Sequence, residues 1–207
     1  MATLIILIFV LVAALVISLG INILLAFIFL EQRRMITTDM LTGLLNKVGL
    51  TEVRNRRHSK RNSGSWFLFE RRHKDHPTGG AILYLDLDKF KPVNDQYGHH
   101  VGDLLIVEFS KFLKEHMRAK DTLARLHGDE FVIVLEDVDE VEAKRVASKI
   151  VTSLKNHTFI AHGHEINLGA TIGVAVMKKD KIFDLDALIK DADHAMLKSK
   201  RRVGDTR

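Results

Sequence analysis

Two carboxylates at alternate positions close an apolar run, Ala81-Ile-Leu-Tyr-Leu-Asp86-Leu-Asp88. A strand turns alternate side chains to one face, so the run predicts Asp86 and Asp88 side by side at a strand end. A second acidic pair, Asp129-Glu130, follows His127-Gly128 between two short apolar runs, and the stretch between the two pairs carries Lys91-x-x-Asn94-Asp95, Gly98-His99 and Gly102-Asp103. Carboxylates gathered at the ends of adjacent strands raise one another's pKa unless a cation neutralises them. An all-oxygen donor set suits Mg²⁺ or Mn²⁺. With a lysine for phosphate and an Asn plus an Asp for base edges, such ions equip a site for nucleotidyl or phosphoryl transfer. Strand-end aspartates also serve as solvated turn formers, so the residues alone leave both readings open.

The elements that must position these groups follow from periodicity. Ala81 to Asp88 reads as a buried strand, and Leu104, Leu105, Phe109, Phe112 and Leu113 place a helix over 102–116. Thr122–Leu126 and Phe131–Leu135 read as a hairpin around His127-Gly128-Asp129-Glu130. A helix over 141–154, a strand over 166–177 and a last helix over 185–200 follow. Leu41, Leu44, Leu45 and Val48 suggest a further amphipathic helix reaching the middle fifties, after a cap or turn at Thr38-Asp39. The order βααββαβα predicts an α/β (α+β) sandwich, a central mixed sheet flanked by helices.

Charge divides the chain. It has 207 residues with a formal net charge of +5, yet no Asp, Glu, Lys or Arg occurs before residue 31. Leu4 to Leu30 is almost wholly apolar and makes a helix of about 40 Å against a hydrocarbon core of about 30 Å. It is longer than a signal-peptide core and lacks a basic region before it and a small-residue cleavage site after it. We expect a transmembrane helix over 1–30, with a helical linker over 31–38. Arg33 and Arg34 follow the span at once. The positive-inside bias then puts the rest in the cytoplasm as a single-pass inner-membrane protein with little beyond the membrane.

The chain has no cysteine, which excludes disulfides, thiolate chemistry and Cys-ligated zinc. Between Arg54 and Lys74 eight Lys/Arg face the single acid Glu70. The run fits attraction to anionic headgroups, worth about 1 kcal/mol per basic residue near the surface, and fits a solvated loop equally well. Stacking groups are confined to the Trp66-Phe67-Leu-Phe69 patch, so no nucleic-acid partner is expected.

Residues 39–205 resemble the GGDEF family of diguanylate cyclases, which condense two GTP into cyclic di-GMP. DMLTGLLNKVGL at Asp39 resembles the family's D-x-L-T-G-L-x-N entry. LDLDKFKPVNDQYGHHVGDLL at Leu85 matches its most specific stretch, and ARLHGDEFVIVL at Ala124 stands where A-R-x-G-G-D-E-F is expected. ATIGVAV at Ala170 and ADHAMLKSK at Ala192 complete the order. The resemblance implies a cyclase domain over 39–207, a homodimer with one GTP per subunit, and Mg²⁺ or Mn²⁺ as cofactor. It implies metal ligation by Asp86, the Leu87 carbonyl and Asp129, with Glu130 holding a second ion or the ribose; Asp129, Glu130 and Lys91 are then the catalytic residues, Asp129 as the base for the attacking 3′-hydroxyl. By the same resemblance Lys91 serves the triphosphate, Asn94 and Asp103 the guanine edge, His99 lies in the substrate loop, and Lys200 is a further substrate-binding residue. An Asp at 103 accepts from guanine N1–H and the 2-amino group, which adenine cannot match. Arg118-Ala-Lys-Asp121 matches the family's R-x-x-D site for inhibition by cyclic di-GMP; alone that pattern is a common helix-surface ion pair.

Two positions depart from the family. His127 replaces the first Gly of the signature. A tight hairpin there asks for positive φ, which His enters more readily than most residues, and its ring either blocks GTP or donates to a phosphate. At the C-terminal end Gly204 stands where the family has a phosphate-contacting Arg, and Arg201 or Arg202 replaces it only if the chain shifts. The alternative to an enzyme is thus an inactive, membrane-tethered receptor or scaffold that binds cyclic di-GMP through Arg118 and Asp121. The retained carboxylates favour catalysis.

Overall fold

A computed structural model describes residues 1–53, 80–177 and 184–204, and the basic run and the Trp66–Phe69 patch lie outside the described residues. The chain divides into two compact units, Met1–Thr37 and Thr38–Arg207. The first is a single helix, α1 (Ala2–Thr37). It continues without a break through Glu31 and the arginines. Its stretch from Leu11 to Thr37, mean hydropathy 2.7, is long and apolar enough to cross a membrane. The polar Asn22 is accommodated there because its side-chain amide donates to the Ser18 carbonyl one turn back, at 2.9 Å.

The second unit is built on a four-stranded sheet. Its strands are β1 (Gly80–Asp88), β2 (Thr122–His127), β3 (Glu130–Glu136) and β6 (Gly169–Val176), in the order β2-β3-β1-β6. Each of these pairs is antiparallel. The parallel contribution is an isolated bridge, Leu45 to Ala124. The helices are α2, described over 47–53, α3 (Phe90–Tyr97), α4 (His99–His116), α5 (Glu140–Lys155) and α6 (Leu185–Gly204). A separate hairpin pairs β4 (Thr158–Ala161) with β5 (His164–Asn167).

Period-2 alternation sends each strand's side chains to two cores. Leu83, Leu85 and Leu87 join Phe131, Ile133, Phe109 and Ile150 on the face packed by α4 and α5. Ile82 and Tyr84 join Val132, Ala192 and Met196 on the face packed by α6. Asp86 and Asp88 share the parity of Ile82 and Tyr84, so the strand presents its acids on the α6 face.

Three expectations are corrected. Residues 39–46 are a turn, and the helix begins only at 47. Asp39 Oδ1 accepts from the Thr42 N–H and hydroxyl at 2.9 and 2.7 Å, while the Leu45 carbonyl accepts from Arg125 N–H at 2.8 Å. Those bonds hold Leu44 and Leu45 against the domain in a non-helical path. The strand placed over 166–177 is two strands, β5 and β6, and β4 was not anticipated. The helix over 102–116 begins earlier, at His99.

Candidate active site

One rung of the sheet carries most of the acidic site. Asp86 pairs with Glu130 on β3 and with Thr171 on β6, and Glu130 pairs with His127 on β2. Directly opposed residues of antiparallel strands project to the same face. Glu130 thus stands between Asp86 and His127. Asp129 occupies the β2–β3 turn, where its carbonyl accepts from the Leu87 N–H at 3.3 Å. That bond ties the turn to the end of β1.

Each carboxylate has a partner. Lys200 Nζ lies 2.5 Å from Asp86 Oδ1. Tyr84, two residues before Asp86 on the same face, donates its hydroxyl to Glu130 Oε2 at 2.6 Å. His127 Nδ1 lies 2.9 Å from the same oxygen. Burial, followed by the hydrogen bond to Glu130 and the charges of Glu130, Asp193 and Asp86, pushes the Tyr84 phenol far up, so it remains a donor. Burial also raises the Asp129 carboxyl. Its own backbone N–H and the Lys200 ammonium pull it back, the charges of Asp86 and Glu130 push it up, and the net is above the ordinary carboxylate value. Asp88, by contrast, accepts from the Thr171 hydroxyl at 2.7 Å and serves the β1–β6 seam.

Lys200 reaches Asp86 because α6 lies very close to the sheet. A Cβ on Gly173 of β6 would stand 1.9 Å from the Ala192 carbonyl oxygen and 2.4 Å from the Met196 nitrogen. Only glycine admits that approach, and it seats the turn of α6 that leads to Lys200.

The substrate-loop residues sit on α3 and α4. A single residue, Lys89, separates β1 from α3, so Lys91, the second residue of that helix, follows the acidic strand end closely in the chain. Asn94 of α3 packs into the space left by Gly102 of α4: a Cβ there would lie 1.8 Å from Asn94 Oδ1. That oxygen is buried without a hydrogen-bond partner. Asp103 follows Gly102 directly on α4. Lys91, His99 and Asp103 are exposed.

Arg118 and Asp121 form the turn between α4 and β2. Asp121 Oδ2 accepts from the Arg118 N–H at 3.1 Å, and the Arg118 guanidinium pairs with Glu142 of α5 at 2.9 Å. Glu142 was not anticipated as its partner.

His127 does not adopt the left-handed backbone expected of it. It ends β2, and the positive φ of the turn falls on Gly128, at 51°. A register shift between Arg125 and His127 supplies the extra residue. Among the described residues no three His, Asp or Glu side chains are drawn together at metal-holding spacing. Asp86 is turned to Lys200, and Glu130 to Tyr84 and His127. Sequence reasoning missed Tyr84, Thr171 and Gly173. Tyr84 was legible as the alternate-position neighbour of Asp86, while the other two depend on register and helix approach.

Residues 36–206 match the family described as diguanylate cyclase, GGDEF domain. The chain is 33% identical over 172 residues to the diguanylate cyclase DosC of Escherichia coli, covering 83% of this chain and 34% of DosC. It is 42% identical over 120 residues to the bifunctional diguanylate cyclase/cyclic di-GMP phosphodiesterase MucR of Pseudomonas aeruginosa, covering 58% of this chain and 17% of MucR. The chain therefore spans about a third or less of these relatives' lengths. Its fold is similar to the coiled coil and GGDEF domain of DgcB from Caulobacter crescentus, solved in complex with c-di-GMP. That likeness has a TM-score of 0.75 at 22% identity, covers 92% of this chain and 94% of the other, and speaks to the fold alone.

Proposed function

The chain belongs to the GGDEF-domain family of diguanylate cyclases, and from that membership we propose that it condenses two GTP into cyclic di-GMP as a membrane-anchored homodimer. The observation that carries the reading is the Asp86–Glu130 rung with Asp129 beside it, where burial and two neighbouring charges hold Asp129 above its ordinary value.

The donor set fits a hard divalent cation. Its side-chain donors are carboxylates, one of them is raised by burial and by the charges of its neighbours, and Lys200 brings a single positive charge to one of them. Asp86, the Leu87 carbonyl, Asp129 and Glu130 would hold Mg²⁺ or Mn²⁺. When bound, the ion supplies charge neutralisation to the triphosphate and to the attacking oxygen. Lys200 leaves Asp86 and turns to the triphosphate, which Lys91 also meets from α3. Asn94 and Asp103 take the guanine edge and His99 borders the same loop. Asp129 accepts the proton of the 3′-hydroxyl, a task that a carboxylate above its ordinary pKa performs better near neutrality.

Each 3′-oxygen attacks the α-phosphorus of the GTP on the other subunit. Two P–O–C bonds form, two bonds to pyrophosphate break, and two pyrophosphates leave. A monomer cannot close this ring, so two copies meet face to face. Helix α1 anchors the chain in the inner membrane with the cyclase unit in the cytoplasm.

Arg118 and Asp121, already joined in one turn, bind the cyclic di-GMP product for inhibition. Arg118 releases Glu142 to take a phosphate. A calorimetric titration with cyclic di-GMP separates this from the receptor reading: binding lost in Arg118→Ala, in a protein that also turns over GTP, supports the inhibited enzyme. Binding without turnover supports the receptor. Removing the divalent ion with EDTA abolishes product formation, and Mg²⁺ restores it. Turnover that persists in EDTA contradicts the reading.

A further inference from the structure

Arg125 is a charged side chain that the condensation above does not use, and it is mostly buried, with 12% of the side chain exposed. Its guanidinium reaches in two directions. Nε donates to the Gly128 carbonyl at 2.9 Å, and Nη1 lies 3.0 and 3.1 Å from Asp39 Oδ1 and Oδ2. Asp39 is itself held: the Thr42 hydroxyl and N–H donate to its Oδ1, its own N–H donates to the Leu44 carbonyl at 2.8 Å, and its carbonyl accepts from the Gly43 N–H at 2.8 Å. Strand β2 is an edge of the sheet, and its pairing with β3 slips between Arg125 and His127. A bulge locally disrupts the ladder, and the Arg125 side chain crosses that gap to the turn.

The carbonyl it meets belongs to the peptide that joins Gly128 to Asp129. Gly128 has a φ of 51°, and a glycine lets the peptide after it rotate at little steric cost. The peptide is planar and trans, so its C=O and N–H point opposite ways. The N–H is the one that donates to the Asp129 carboxylate. Arg125 thus grips one end of a rigid unit, and the Asp129 carboxylate is bonded to the other.

We propose that Arg125 is a positioning residue: braced on the Asp39 turn, it fixes the Gly128–Asp129 peptide and with it the direction of the Asp129 carboxylate. The inference rests on the role proposed above for Asp129 as the base. Two different nitrogens of one planar group make the two contacts, a geometry that a lysine ammonium on a flexible stem does not reproduce.

The test pairs steady-state GTP turnover with backbone hydrogen exchange, both on the full chain in detergent micelles, the exchange being read without GTP or a divalent ion. In Arg125→Ala, kcat is expected to fall about ten- to a hundredfold with KM for GTP within about threefold of wild type, as for a misplaced reacting group. Its amides over 127–130 exchange faster, while those of β1 and β6 keep wild-type protection. Arg125→Lys keeps a charge beside Asp39, which guards against a folding failure, and shows the same pattern. Asp39→Asn combined with Arg125→Ala is no worse in kcat than Arg125→Ala alone, because Asp39 acts through Arg125. Wild-type kcat and exchange in both Arg125 variants overturn the proposal. So does a rise in KM at unchanged kcat, or faster exchange spread over the whole sheet, which marks a merely structural ion pair. Faster exchange confined to the turn, in a chain whose wild type makes no cyclic di-GMP, upholds the brace and defeats the proposed function. Wild-type turnover shared by every variant defeats the brace alone.

Discussion

Asp129 illustrates how one residue's surroundings set a property that can be measured. Its carboxyl is held above the ordinary value of 3.8 by burial and by Asp86 and Glu130. A group whose folded pKa is raised contributes stability below its unfolded pKa and loses it as pH rises through the folded value. At pH 7 the ionised Asp129 therefore opposes folding. Asp129→Asn in metal-free protein is expected to raise the melting temperature at pH 7, with the gain vanishing below about pH 3.8; a lower melting temperature at pH 7 contradicts the electrostatic account. Asp39 runs the other way. Burial acts to raise it, but the Thr42 hydroxyl and N–H and the Arg125 guanidinium outweigh burial and hold it below its ordinary value. Its contribution is present above pH 3.8 and is lost as pH falls through its folded value. The acids themselves were legible in the sequence, since alternate spacing in a strand places Asp86 and Asp88 on one face. Their partners were less so. That Lys200 meets Asp86, or that Asp88 serves Thr171 rather than the site, depends on strand register and helix placement, which no local pattern encodes.

The element with the greatest leverage on the site is α6. Gly173 lets its backbone sit directly on β6, and Lys200 reaches Asp86 from the turn beyond Met196. Gly173→Ala forces the helix outward, because the new Cβ meets backbone atoms and not the flexible end of a side chain. We expect a loss of about 1–3 kcal/mol by chemical denaturation, accompanied by weaker GTP turnover. Unchanged stability would show that α6 accommodates the methyl group. Elements with a clear period, such as β1, β3 and α5, were readable because one face of each is buried throughout. The β4–β5 hairpin was not. Its strands are four residues each, and His164 and Glu165 dilute the apolar alternation, although His162-Gly163 gave the signal of a tight turn: both take positive φ, at 51° and 80°. The segment after Asp39 misled for another reason. Its leucines have helical spacing, but hydrogen bonds to Asp39 and Arg125 hold the backbone elsewhere.

At the scale of the whole molecule, the uncharged first thirty residues and the charged remainder call for different solvents. Helix α1 carries the apolar stretch, and the unit from Thr38 onward has its own two cores. The full chain is expected to sediment with membranes and resist carbonate extraction, while a chain starting at Thr38 remains in the soluble fraction. A full chain extracted by carbonate would remove the anchor from the account. The claim that joins these scales is that the acidic rung is a metal-dependent site for condensing GTP. It is tested most directly by measuring cyclic di-GMP formed by the purified full chain from GTP and Mg²⁺, wild type beside Asp129→Asn. The account predicts one cyclic di-GMP and two pyrophosphates for every two GTP consumed by wild type, and loss of product in the variant. No cyclic di-GMP from wild type even when dimerised by a fused coiled coil, or equal product from both proteins, would contradict it.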